Sequence, residues 1–222
     1  MTKEELIHDL FHAYFEARKH KRNTVNQLRF ELNYERNLMT LADEILGRQY
    51  QLRASICFVV FKPVKREIFA ADFRDRVVHH LIYNYINPIF EDMFIDDSYS
   101  CRKGRGTHYG ANRVSEFIQK CSDNYTKDCY ILKLDLQGYF MSINREKLFS
   151  ILQSILYKAI ASGRYETCRD NIDMIIYLIK VVLADNPTTH CVFKGHKTDW
   201  DDMPKSKSMF SLWLFYQWLE KV

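Results

Sequence analysis

The chain has 222 residues, 47% hydrophobic and 27% charged, with seven glycines and four prolines. That is a globular composition, long enough to bury a core, and it excludes disordered and collagen-like classes. A net charge of +4 permits a polyanionic partner without demanding one. Six widely spaced cysteines include no C-x-x-C pair, so neither a zinc site nor a disulfide framework is indicated and reduced thiols are expected. No apolar run reaches membrane-span length and Met-Thr-Lys-Glu-Glu is not a signal peptide, so a cytoplasmic protein without a membrane partner is expected.

In chain order, Leu6, Ile7, Leu10, Phe11, Tyr14 and Phe15 recur at helical spacing. Glu4 and Glu5 at the start, with Arg18, Lys19 and His20 at the end, suit the helix dipole. A second helix is predicted from a cap at Asn23 or Thr24 to about Leu46, with Gly47 as its stop. Residues 57–61 predict a strand and 67–71 its hairpin partner. Residues 72–94 read as helix interrupted at Asn87-Pro88, 98–110 as a basic glycine-bearing loop, and 111–121 as helix. A strand over 131–135 ends on Asp135, and helices over 145–160 and 172–184 follow.

Three segments carry chemistry. Lys62, Lys65 and Arg66 follow the first strand closely, with Arg74 and Arg76 beyond them. Such cations can clamp a triphosphate, Arg as a bidentate donor and Lys as a point charge. The same residues also fit a solvated basic surface partly neutralised by Glu67, Asp72 and Asp75. Residues 99–108 (Tyr-Ser-Cys-Arg-Lys-Gly-Arg-Gly-Thr-His) hold no acid. Gly104 and Gly106 would let the backbone approach a phosphodiester while Arg102, Lys103 and Arg105 supply charge; a flexible solvated loop is the alternative. The order is not that of a P-loop. Asp135 lies at the tip of Ile-Leu-Lys-Leu-Asp, before Gly138, Tyr139 and Phe140, where a carboxylate can ligate a divalent ion or simply start a turn.

Taken together, these segments resemble the first motifs of reverse transcriptases, in particular the bacterial group II intron-like and diversity-generating retroelement enzymes. Residues 61–69 with 72–80 are similar to the first fingers motif, 97–108 to the second, and 132–143 to the palm motif with the first catalytic aspartate. Residues 200–210 are similar to the stretch before the next motif. The resemblance implies that Asp135 is catalytic and holds magnesium with the Leu136 carbonyl. It implies that Lys62, Arg66 and Phe140 bind the incoming deoxynucleoside triphosphate, Phe140 blocking a 2′-hydroxyl. Arg102, Gly104, Arg105 and Gly106 would contact the template. The implied partners are an RNA template, a DNA primer and dNTP.

The expected fold is α+β: an N-terminal helical region (1–50), fingers (51–124), a partial palm with helical insertion (125–210) and an atypical apolar tail (211–222) of a right-hand polymerase. The family's Gly-x-x-x-Ser-Gln and aromatic-x-Asp-Asp motifs do not occur in the sequence. Trp200-Asp201-Asp202 has polar flanks and reads as a solvated loop or helix start. The expectation is therefore an N-terminal fragment of an RNA-directed DNA polymerase, inactive alone. The alternatives are a non-catalytic RNA-binding module, or one half of a split polymerase completed by a second polypeptide or RNA. The tail is open to reading as a docking helix, as sequence beyond a frameshift, or as the edge of a split gene.

Overall fold

Thr2 starts the first helix, α1 (Lys3–Arg18), by a reciprocal cap: its hydroxyl accepts from the Glu5 amide at 3.2 Å, and the Glu5 carboxylate accepts from the Thr2 amide at 2.7 Å. The computed structural model describes residues 2–19, 24–136, 139–165, 168, 170–204 and 207–209. The tail at 211–222, with Gln137 and Gly138, lies outside the described residues. None of the helices among those residues is long and apolar enough to cross a membrane.

The single helix expected to end at Leu46 is divided. α2 (Val25–Glu31) begins at Thr24, and α3 (Tyr34–Leu46) begins after Leu32 and Asn33. The Asn37 side-chain amide donates to the Phe30 carbonyl at 2.9 Å, taking the acceptor that a continuous helix would offer to residue 34. Around this break Tyr14 stacks on Tyr34 at 5.0 Å, and the Phe73 ring meets Tyr14 at 6.1 Å and Phe30 at 5.5 Å. α1 packs on α3, burying Leu6, Leu10, Leu38, Leu41 and Ile45.

A three-stranded sheet follows, in the order β2-β1-β3. β1 (Ser55–Val60) and β2 (Arg66–Ala70) form the expected antiparallel hairpin, Val60 opposite Arg66. β3 (Cys191–Phe193), which the sequence does not suggest, pairs in parallel on the other side of β1. α4 (Phe73–Met93) then runs without a break through Pro88, correcting the expected interruption. Proline removes one helical hydrogen bond, and Tyr85 and Ile89, both buried, hold the segment in place. The remaining helices are α5 (Thr107–Cys121), α6 (Tyr139–Ser142), α7 (Arg145–Ala161) and α8 (Ile172–Ala184), α7 packing on α8. The architecture is α+β.

The chain forms two compact units, one from residues 1–86 and 137–222, the other from Asn87–Leu136. In the first, Asp75 at the start of α4 is fully buried. Its carboxylate accepts from the Tyr50 hydroxyl at 2.9 Å, the Arg53 amide at 2.8 Å and Arg74 Nη1 at 3.3 Å. Arg74 also pairs with Glu44 and donates to the Gln51 carbonyl at 3.1 Å, its guanidinium lying over the Tyr50 ring. Burial is the largest influence on each: it pushes Asp75 and Tyr50 up and Arg74 down, against the pull of their ionic contacts on Asp75 and Arg74.

Asp75→Ala is expected to destabilise the chain by about 3 kcal/mol, because the buried Tyr50 hydroxyl and the Arg53 amide lose their acceptor while Arg74 keeps Glu44, measured by urea denaturation. A destabilisation below about 1 kcal/mol would show that water or another acid replaces the carboxylate. The fold also carries a pH dependence. Burial, with Arg76 and His80 nearby, holds the His79 imidazole below its usual range. The unfolded chain therefore takes up this proton first. The stability His79 contributes is present above pH ~6.5 and is lost as pH falls from there through the lower folded value. Melting measured between pH 8 and 5 is expected to fall with acidity, and His79→Gln to reduce that slope.

Candidate functional site

The β1–β2 hairpin carries the first group of predicted site residues. Lys62 lies just beyond β1 and Arg66 opens β2, so they flank the turn; both are exposed. Among the described residues neither side chain has a hydrogen bond or ion pair. Their neighbours are committed: Lys65 to the Asp201 carbonyl, Arg74 to Glu44 and Asp75, Arg76 Nε to the Ala71 carbonyl at 3.1 Å. The run of cations thus sorts into internal struts and one outward pair. In the fold, the sequence's solvated-surface reading fails for Arg74, whose side chain is 6% exposed.

The sequence suggests a surface acid at Glu67, and the structure corrects this. Glu67 is buried on β2, one oxygen accepting from the Trp200 indole at 2.9 Å and the other from the Met209 amide at 2.8 Å. Trp200 ends a short 3-10 turn (Lys197–Trp200) and meets the Phe193 ring at 5.6 Å. Gly195 turns the chain at φ +120°, where a Cβ would meet Asp199 Oδ2 at 2.5 Å. Asp201 and Asp202 are exposed beyond it, in the solvated turn expected of them. The available signals were an acid within an apolar strand and a lone tryptophan in a polar stretch.

In the second unit, Arg102-Lys103-Gly104-Arg105 forms a tight turn, bridged between Arg102 and Arg105, with Gly104 at φ +74°. Gly106 is extended and precedes α5. The Arg102 side chain is only 8% exposed. It pairs with Glu91 at 3.0 Å and donates to the Ile95 and Ser98 carbonyls at 2.9 and 3.0 Å, its guanidinium over Phe94. Arg105 pairs with Asp96 at 3.3 Å above the Tyr109 ring, and Arg113 with Asp97 at 2.8 Å above Phe117. The Arg113 and Tyr99 donors hold Asp97 below the usual carboxylate range. Lys103 is exposed at the tip. Much of the loop's positive charge is therefore met by Glu91 and Asp96, acids that precede the loop.

Asp135 does not lie on a strand. Residues 128–136 form neither helix nor strand, and Asp135 is exposed with Leu132, Leu134 and Leu136 at 70–81%. A strand needs a ladder partner, and among the described residues the strands are those of the β2-β1-β3 sheet alone. Phe140 has its backbone in α6, and its side chain lies outside the described residues. Among the described residues no three His, Cys, Asp or Glu cluster to hold a metal ion. The Asp135 carboxylate and Leu136 carbonyl can contribute to a magnesium shell, but they fall short of the donor set of a two-metal centre.

No protein-family profile matches the chain. The chain is similar to Protein YkfC of Escherichia coli (strain K12), 25% identical over 153 residues that cover 64% of this chain. The matched part spans 40% of that relative's length.

The two kinds of loop cation are separable by experiment. Arg102→Ala is expected to expose residues 95–106 to limited proteolysis, whereas Lys103→Ala leaves the digestion pattern unchanged. Equal protection in both variants would show that the Glu91 pair does not hold the loop.

Proposed function

We propose that the chain is the fingers and opening palm portion of an RNA-directed DNA polymerase. The observation that carries this reading is the uncommitted pair Lys62 and Arg66 on either side of a hairpin turn whose other cations are used internally. A point charge and a bidentate donor on one rigid element suit the oxygens of a triphosphate. On the turn opened by Gly104, Lys103 is exposed at the tip and Arg105 is partly exposed beside it, and these two loop cations are offered to a template backbone. Arg102 acts behind them, holding the turn. Asp135 would supply one carboxylate to hold magnesium for nucleotidyl transfer, in which a primer 3′-hydroxyl attacks the α-phosphate of the triphosphate and pyrophosphate leaves. Phe140 follows it at the spacing of the aromatic that excludes a 2′-hydroxyl.

Asp135 is not joined in the sequence by an aromatic-x-Asp-Asp motif, which favours a second reading, an RNA-binding module that does not catalyse by itself or that is completed by another polypeptide. Both readings expect RNA binding; they part on primer extension once the remaining carboxylates are supplied in trans.

The test is binding of single-stranded RNA across a salt series. Affinity is expected to fall steeply with salt. Lys103→Ala with Arg105→Ala is expected to flatten the log–log slope by about 1.4, at roughly 0.7 for each phosphate no longer neutralised. An unchanged slope would remove this turn from the RNA surface.

A further inference from the structure

We infer that Glu67 is a positioning residue for triphosphate binding: it locks the hairpin to the segment after β3 and so sets where Lys62 and Arg66 stand. The inference rests on the nucleotide reading of the hairpin. Side chains alternate along a strand, so the residue that turns inward at the start of β2 fixes its neighbour outward. Glu67 is that inward residue, 5% exposed, and Arg66 is the outward neighbour. Its two oxygens take donors from two places, the Trp200 indole at 2.9 Å and the Met209 amide at 2.8 Å. On the turn side Lys65 reaches the Asp201 carbonyl. The hairpin tip is thus tied at Lys65 and Glu67 to residues more than 130 positions later, and the two cations of the tip left out of these ties, Lys62 and Arg66, are exposed.

The chemistry of the side chain is specific. A carboxylate presents an acceptor to each of two N–H groups. An amide of the same shape presents one acceptor and one donor, so Glu67→Gln sets an N–H against an N–H and breaks one tie. Trp200→Phe breaks the indole tie from the other side while keeping an aromatic ring for Phe193 to pack against. The receiving turn is itself rigid, since the Asp199 carboxylate accepts from the His196 amide at 2.7 Å and lies where a side chain at Gly195 would intrude. A residue needed only for folding would affect every function of the chain together. A positioning residue affects the ligand of the hairpin and leaves the second unit's ligand alone.

The experiment measures binding of fluorophore-labelled dATP with magnesium, and of single-stranded RNA, to the full chain and its variants, each checked for folding by far-UV circular dichroism. Glu67→Gln and Trp200→Phe are each expected to weaken dATP binding about tenfold, the order of one charge-assisted hydrogen bond removed, with RNA affinity unchanged. In a chain already carrying Lys62→Ala and Arg66→Ala, Glu67→Gln is expected to weaken binding no further. Wild-type binding that neither Glu67→Gln nor Trp200→Phe alters would overturn the positioning role alone. A wild-type chain that binds no dATP would overturn the nucleotide reading, and this inference with it.

Discussion

Asp75 joins three parts of the first unit through one fully buried carboxylate. Tyr50 reaches it from the linker just past α3, the Arg53 amide from the approach to β1, and Arg74 from the first turn of α4. Because Arg74 also holds Glu44 and the Gln51 carbonyl, the linker between α3 and the sheet is tied by its backbone as well as its side chains. A buried ion pair of this kind contributes little net stability against an apolar substitute, but it penalises any other arrangement of the same elements. The hairpin that bears Lys62 and Arg66 starts from this junction. Its other end is held by Glu67, so a short, two-stranded element that would be marginal alone is fixed at both base and tip.

The cations of the chain divide by whether an acid or carbonyl inside the fold has already claimed them. Along the hairpin and the start of α4 the claimed ones are Lys65, Arg74 and Arg76. Around the loop of the second unit they are Arg102, Arg105 and Arg113, each with an acid at its edge and an aromatic ring at its face. Arginine suits this double use because its planar group can hydrogen-bond in plane and stack out of plane. A net charge of +4 therefore says little about where a polyanion would bind. In the two segments proposed to bind polyanions, the cations left outward are Lys62, Arg66 and Lys103, with Arg105 partly exposed.

Much of the secondary structure was legible in the sequence. Helical periodicity located α1, α7 and α8, and the apolar run before Lys62 located the hairpin, since these signals are local. The split between α2 and α3 was not legible, because it depends on Asn37 capturing the Phe30 carbonyl. β3 is three residues long and exists through pairing with β1, a partner far away in sequence. The run ending at Asp135 has strand composition yet no strand, for the converse reason: composition offers a strand and a neighbouring strand completes it. The site showed a similar pattern. Residue types grouped Lys62 and Arg66 with Lys65, Arg74 and Arg76 without separating outward from internal cations, and they could not tell Arg102 from Lys103, or a surface Glu67 from a buried one. Those distinctions are made by Glu91, Trp200 and Met209, which no spacing rule connects to them.

The central claim is a division of labour, with the hairpin of the first unit for triphosphate and the turn of the second for RNA. Photo-crosslinking tests it most directly, using an azido-substituted dATP and a 4-thiouridine RNA on the same preparation, with adducts located by peptide mass spectrometry. The account predicts dATP adducts within residues 61–67 and RNA adducts within 99–113. Adducts of both ligands on one segment, or of dATP outside the hairpin, would contradict it.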